Sequence, residues 1–302
     1  MVNVGIQPYV WMLSGCVWFS IMGLLAHSLS KECDWQVVAL ARSGLATVFA
    51  LSIALGTGAK LVFFKPRVLW VRSVAGSCSM LATFYALTRL PVSEVLTLTN
   101  TFPIWVALLS WPMAGERPTV GVIIAVLCSV VGVAFAQQPH IDGFPLAAWA
   151  ALAASLFTAI AMLGLNRLQG VSSLGVVVHF SFVSTLFCGF AFLAFDRVTG
   201  TDRIDEIPVL LKLLAVGVTA TIGQVFLTRA FRAGSATKIS VVTLTQVVMV
   251  MVYEAVIDGR EFNLLTLLGT ALVLGPTGWL MVRERKKPPP VGVPAVEQVA
   301  IE

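Results

Sequence analysis

Residues 84–118 read FYALTRLPVSEVLTLTNTFPIWVALLSWPMAGERP, and residues 228–262 read TRAFRAGSATKISVVTLTQVVMVMVYEAVIDGREF, a shift of 144 (228 minus 84). Laid over one another, Ala86 meets Ala230, Pro91 meets Ser235, Ser93 meets Thr237, Thr99 meets Thr243, Thr101 meets Thr245 and Gly115 meets Gly259. The same shift pairs Ser77 with Thr221. Ordered similarity at a fixed period marks an internal duplication. In each copy a Pro- or Gly-containing link leads into an apolar run of bilayer length.

Working outward, the chain splits at its polar links into apolar segments at roughly 8–29, 36–55, 68–88, 91–112, 120–136, 146–165, 174–195, 210–231, 235–256 and 264–282. A bilayer crossing takes ~20 mostly apolar residues. In hydrocarbon a single segment satisfies its own backbone polar groups by forming a helix. Composition agrees: of 302 residues, 58% are hydrophobic and 12% charged, against roughly 45–50% and about 25% in soluble domains. The sequence therefore predicts an all-α polytopic membrane protein of ten transmembrane helices. Five helices per half is odd, so the second copy lies upside down relative to the first. Such inverted repeats recur in secondary transporters. The expected division is 1–139, 140–284 and a disordered cytoplasmic tail, 285–302, with three consecutive prolines.

Charge sets orientation. One side collects thirteen cations: Lys60, Lys65, Arg67, Arg72, Arg117, Arg167, Arg229, Arg232, Lys238, Arg283, Arg285, Lys286 and Lys287. The other collects six, Lys31, Arg89, Arg197, Arg203, Lys212 and Arg260, beside Asp196, Asp202, Asp205 and Glu206. By the positive-inside rule both termini are cytoplasmic, in a cell (inner) membrane. The net charge of +5 is thus a topology signal and not a nucleic-acid surface. Trp11, Trp35, Trp70, Trp111, Trp149 and Trp279 fall near helix ends, where amphipathic rings prefer the interface. Met1 to Gln7 carries no Lys or Arg and no small-residue cleavage site follows the first apolar run, so that run is expected to stay as the first helix. Five cysteines, four of them inside apolar segments, give neither a disulfide framework nor a metal motif.

The quoted stretch resembles the helix 3 to helix 5 signature of EamA-type members of the drug/metabolite transporter superfamily. The shared positions are Tyr85, Ala86, Leu87, Leu90, Pro91, Ser93, Glu94, Gly115, Glu116 and Arg117, with a degraded second copy at Arg229 to Phe231 and Ser235 to Lys238. The resemblance covers nearly the whole chain. It implies a ten-helix bundle around a central cavity, with fifth helices peripheral, moving small organic metabolites. It names no metabolite, since that family spans amino acids, nucleotide-like compounds, vitamins and drugs.

Polar side chains within membrane helices usually face a partner or a wet cavity. Ser93, Thr97, Asn100, Thr101 and Ile104 share a face of the fourth segment, at i, i+4, i+7, i+8 and i+11. Ser77 and Tyr85 in the third segment, Thr221 and Gln224 in the eighth, and Thr245 and Gln246 in the ninth extend a candidate pocket. A hydroxyl serves equally well to bond its own helix or to join neighbours, at about 1 kcal/mol or less. The amides Asn100 and Gln246 are harder to satisfy within one helix. Trp18, Tyr85 and Trp105 offer an aromatic wall, and Pro103 offers a kink. The hairpins at Pro91, Ser93 and Glu94 and at Ser235 and Thr237 are candidate gates at opposite mouths.

No Asp or Glu lies in the central third of any segment; Glu94 and Glu254 sit near ends. The deepest ionisable groups are Arg42 and His179, which a shift of 137 (179 minus 42) superposes. Arginine stays charged and histidine has an ordinary pKa near ~6.5. The cavity is therefore neutral to basic and favours anionic or zwitterionic organic solutes over simple cations, unless Arg42 merely snorkels to the interface. No cofactor is called for: there is no GxxxxGK[ST] loop, no HExxH and no GxSxG. The leading expectation is a secondary transporter working by alternating access, with the lipid bilayer and a small solute as partners. A non-transporting receptor or structural protein is the alternative, ahead of a membrane-embedded enzyme. The sequence leaves a homodimer open.

Overall fold

The computed structural model describes residues 5–29, 32–87, 89–139, 146–194, 204, 206–258 and 262–285. The described residues form twelve helices: α1 (Gln7–Leu29), α2 (Trp35–Gly56), α3 (Arg67–Leu87), α4 (Val92–Thr99), α5 (Phe102–Ala114), α6 (Val120–Gln137), α7 (Leu146–Asn166), α8 (Ser173–Ala194), α9 (Ile207–Ala233), α10 (Ala236–Thr243), α11 (Thr245–Asp258) and α12 (Leu264–Arg285). The expected tail and the tip of the 196–209 loop lie outside the described residues.

Among the described residues nine stretches are long and apolar enough to cross a membrane, α4 with α5 and α10 with most of α11 each counting as one. The chain is a multi-pass membrane protein. Lipid-type residues cover the outside, with Leu193, Val256, Phe190 and Leu108 strongly exposed, while Ser20, Ser73, Ser77, Ser155 and Thr228 are fully buried. The remaining crossing is α3, whose buried face carries Arg72, Ser73, Ser77 and Ser79. It tolerates that polarity because α7 and α8 pack against it and shield it from lipid.

Packing follows an exchange of the halves. The α1–α9 contact has its counterpart in α7–α3, α2–α9 in α8–α3, and α1–α11 in α7–α5; α2 pairs with α8 and α6 with α12. The fourth and ninth crossings are both interrupted, at Asn100–Thr101 and at Leu244, positions that the 144-residue shift superposes. In the first copy the cause is local. Pro103 lacks the N–H that would reach the Thr99 carbonyl and crowds it sterically, so the turn tightens, with Thr101 N–H on Leu98 O at 3.2 Å and Ile104 N–H on Thr101 O at 2.9 Å. The second copy has no proline. Its turn tightens in the same way, Leu244 N–H on Val241 O and Val247 N–H on Leu244 O, and α1 covers the freed Thr243 carbonyl, towards which Cys16 Sγ donates at 3.6 Å, while Ser20 Oγ lies 3.3 Å from Gln246 O in the first turn of α11. Irregular backbone at membrane depth requires such cover.

Two sets of loop contacts define the bundle ends. At the proximal end, where α1 begins, Ser172 Oγ bonds Lys60 O, Asn166 Nδ2 bonds Gly234 O, and Ser235 Oγ bonds Glu116 Oε2. At the distal end Gln138 pairs with Asn263, and Lys212 with Glu32.

Candidate functional site

Between α2, α8 and α9 lies a small pocket of about 10 Å³ lined by Arg42, Ser43 and Ala46, by Phe180, Ser181 and Ser184, and by Ala220 and Gln224. A water needs roughly 10–15 Å³, so the pocket has room for about one. Hydroxyl pairs knit the walls: Ser77 Oγ to Ser184 Oγ at 2.9 Å and Thr47 Oγ1 to Thr185 Oγ1 at 3.1 Å.

Arg42 brings the charge. Its Nε donates to Met22 Sδ at 3.2 Å and Nη1 to Met80 Sδ. Thioether sulfurs are weak acceptors, and the hydrogen bonds and ion pairs of the described residues give this guanidinium no carboxylate.

Towards the proximal end stands a second guanidinium. Arg72 is 1% exposed, and its Nε, Nη1 and Nη2 are all buried without a hydrogen-bond partner. Its Cζ stacks 3.7 Å from the centroid of Phe180, the ring that also borders the cavity. Small residues make this fit possible: a Cβ on Gly76 would sit 2.8 Å from Phe180 Cε2, and one on Gly164 would sit 3.1 Å from Arg72 Cβ. Next to Phe180, the His179 ring accepts or donates at Nδ1 with Ser73 Oγ at 2.8 Å and is boxed by Phe63, Trp70 at 4.7 Å, and the neighbourhood of Phe182.

The family-level comparison decides the identity of the bundle. The model of the EamA-like transporter family matches twice, over residues 7–137 and 145–281. The chain belongs to the EamA-like transporter family. The pseudopaline exporter CntI of Pseudomonas aeruginosa (strain UCBPP-PA14) is 28% identical to this EamA-like chain over 229 residues, covering 74% of it and 78% of the relative. An uncharacterized transporter of Helicobacter pylori (strain 26695) is 24% identical over 247 residues, covering 77% and 83%. One crystal structure superposes with a TM-score of 0.80 at 16% identity over 92% of this chain and 98% of its own, so the fold is shared. The family and these relatives make the EamA-like chain a membrane transporter.

Within this EamA-like bundle the expected site residues separate. Arg42 and Gln224 line the cavity, and Ser77 stands one hydrogen bond behind Ser184. His179 is buried behind it in the aromatic box. Thr97 and Thr221 bond their own helices, at Ser93 O and Gly217 O, and Thr245 reaches back across the break to Val242 O of α10. Asn100 corrects the expectation for amides: its Nδ2 donates to Leu96 O at 2.7 Å, closing the end of α4 from within. Trp105 Nε1 donates to Ser155 Oγ at 3.0 Å and Thr101 Oγ1 lies 3.1 Å from the same oxygen, so both serve the break between α4 and α5. Trp18 is half-buried in α1, Gln246 lends its carbonyl to Ser20, and the Tyr85 ring lies under Arg89 at the distal end, 4.1 Å from its Cζ. The walls of this pocket thus come from α2, α8 and α9.

The hairpins do occupy opposite ends. Pro91 and Ser93 open α4 at the distal end, where Glu94 is buried in the first turn. Ser235 and Thr237 border a proximal cleft of about 380 Å³ together with Glu116, Arg117 and Lys238. The Ser235–Glu116 bond and the Lys238–Glu284 ion pair clasp that end.

Arg72, Phe180, Ser43, Ser181, Ser184 and Ser155 were not singled out by sequence reasoning. Arg72 counts there as a positive-inside residue at a segment end; in the structure it is the most buried Lys or Arg among the described residues. A clue was present in Gly76, one turn along from Arg72 on the same helix face and small enough to admit a ring from a neighbour.

Proposed function

We propose that this chain is a secondary transporter that exports a small organic anion or zwitterion by alternating access. Its halves are read as inverted copies, 1–139 and 140–284, that rock about the Arg42 cavity, with both termini in the cytoplasm of an inner-membrane protein. The exchange symmetry of the packing and the coincident helix breaks support the inversion. The relative named as an exporter supports the direction.

One observation carries the substrate class: Arg42 stands at the cavity wall with sulfur acceptors alone. An arginine held inside a membrane bundle is costly unless paired. Its forked donors match a carboxylate or phosphate, so an anionic group of the solute supplies the missing partner and a simple organic cation is repelled. The test is flux in proteoliposomes. Arg42→Ala is expected to reduce efflux of the solute by at least about tenfold, a loss near 1.4 kcal/mol, with the purified variant melting no lower than wild type. Undiminished efflux in the variant, or a wild type that carries organic cations, defeats this reading.

A further inference from the structure

Arg72 is the group that the Arg42 reading leaves unexplained. Burying a guanidinium without acceptors is unfavourable, and stacking on Phe180 offsets only part of that because the ring engages the face of the cation and none of its N–H donors. A side chain serving stability alone would have acquired a carboxylate or a carbonyl. The described bundle gives it neither, and Gly76 and Gly164 let Phe180 and the Arg72 side chain pack closely there.

Position relates the two arginines. At 1.5 Å rise per residue, Arg72 lies roughly 8 Å from the proximal start of α3 and Arg42 roughly 21 Å from the proximal end of α2, a separation of roughly 13 Å along the bundle. Phe180 touches both surroundings, stacked on Arg72 and lining the same pocket as Arg42. Ser43, Ser181, Ser184 and Ser77 give this interval a hydroxyl lining. Two uncompensated cations on one path, with small polar residues between, match a solute whose negative charge is divided between two ends.

We propose that the transported solute carries at least two separated carboxylate groups, one received by Arg42 and the other by Arg72, with the Phe180 ring as the shutter that swings from Arg72 when the second group arrives. This rests on the reading of Arg42 as an anion site. In this conformation the ring holds the place of the anion; in the loaded one the carboxylate takes the donors that now have no acceptor.

Purified full-length protein in detergent is titrated with glutarate, butyrate and choline, reading both binding and thermal shift. Glutarate is expected to bind wild type at least about tenfold tighter than butyrate. Arg72→Met should bring glutarate down to the level of butyrate while moving butyrate less than about twofold, and Arg72→Lys, which keeps the charge without the fork, should fall between. The empty Arg72→Met protein should melt at or above wild type, because an unpaired buried charge has been removed. Glutarate binding that ignores Arg72→Met, glutarate no tighter than butyrate, an empty variant that melts well below wild type, or a wild type that binds none of the three probes overturns the proposal. The Arg42 reading fails separately: Arg42→Met would leave butyrate binding intact, or choline alone would bind.

Discussion

The seam between α6 and α12 and the interior between α2, α3 and α8 are both tightly packed, yet they differ in the charge that they bury. At the seam two backbones touch through Gly132 and Gly269, Val133 and Val273 are fully buried, and the polar end is satisfied by the Gln138–Asn263 and Gln138–Thr266 bonds. In the interior Arg72 has no acceptor and Arg42 has two thioethers. Helix α6 leaves one neutral hydroxyl, Ser129 Oγ, buried without a partner, whereas the interior leaves a whole charged guanidinium so; a carrier keeps such charged groups because their partner comes and goes. The seam therefore reads as the fixed frame and the interior as the part that works on solute.

The strongest way to break this comparison is at the frame. A Cβ on Gly269 would lie 2.5 Å from Ala136 N and 2.6 Å from Gly132 O, both backbone atoms that cannot swing away. Overpacking costs typically 1–3 kcal/mol and sometimes more, and a β-branched side chain against backbone belongs at the upper end. Gly269→Val is expected to destabilise by about 3 kcal/mol and to lower the melting midpoint and the monodisperse fraction on size exclusion. A variant as stable as wild type would mean that the seam slides freely and is no frame.

A smaller effect is expected at Ser155, which joins α7 to the broken fourth crossing. Its hydroxyl accepts from Trp105 Nε1 and donates to Leu152 O at 2.7 Å. Ser155→Ala strands the indole N–H beside the gap between α4 and α5. A lost hydrogen bond with a buried donor left behind costs about 1–2 kcal/mol, measurable as a lower melting midpoint. An unchanged midpoint would show that the break is held by the Pro103 geometry alone.

These elements differ in how far the sequence announces them. Helix number and the internal repeat are legible because hydropathy at bilayer length and a constant shift are one-dimensional properties. The first break is legible through Pro103, although the carbonyl lost is four residues earlier and the interruption appears at Asn100. The second break is not, since it is stabilised from α1, by Cys16 and Ser20, more than two hundred residues away in the chain. Arg42 was legible as a cation deep in an apolar run. Arg72 was not, because an arginine one or two turns inside a helix reads the same whether it snorkels outward or is sealed by neighbours. Only Phe180 and Gly164 closing over it decide the matter. Asn100 misled for a related reason: the helix end created by the break gives an amide the local acceptor that a continuous helix would have denied it.

The smallest expected effect on stability falls at Gly76, and it sharpens the comparison most. An added Cβ would meet Phe180 Cε2 at 2.8 Å, Arg72 Nη1 at 3.1 Å and Phe180 Cδ2 at 3.4 Å, all outer atoms of side chains that can shift. Gly76 lies inside α3, where Gly→Ala gains about 0.8–1 kcal/mol of helix propensity. That gain and the cost of nudging the ring are of similar size, so Gly76→Ala is expected to melt within about 1 kcal/mol of wild type. Its effect should instead appear in transport. Displacing the ring from the Arg72 face biases the shutter open, so the rate of solute exchange in proteoliposomes should change several-fold while Gly269→Ala, at the frame, changes stability and not the exchange rate of the protein that remains folded. If Gly76→Ala leaves both melting and exchange untouched, the ring has room to spare and Phe180 is ordinary packing. If it unfolds the protein as Gly269→Val does, the interior is as rigid as the seam and the division into frame and working part is lost.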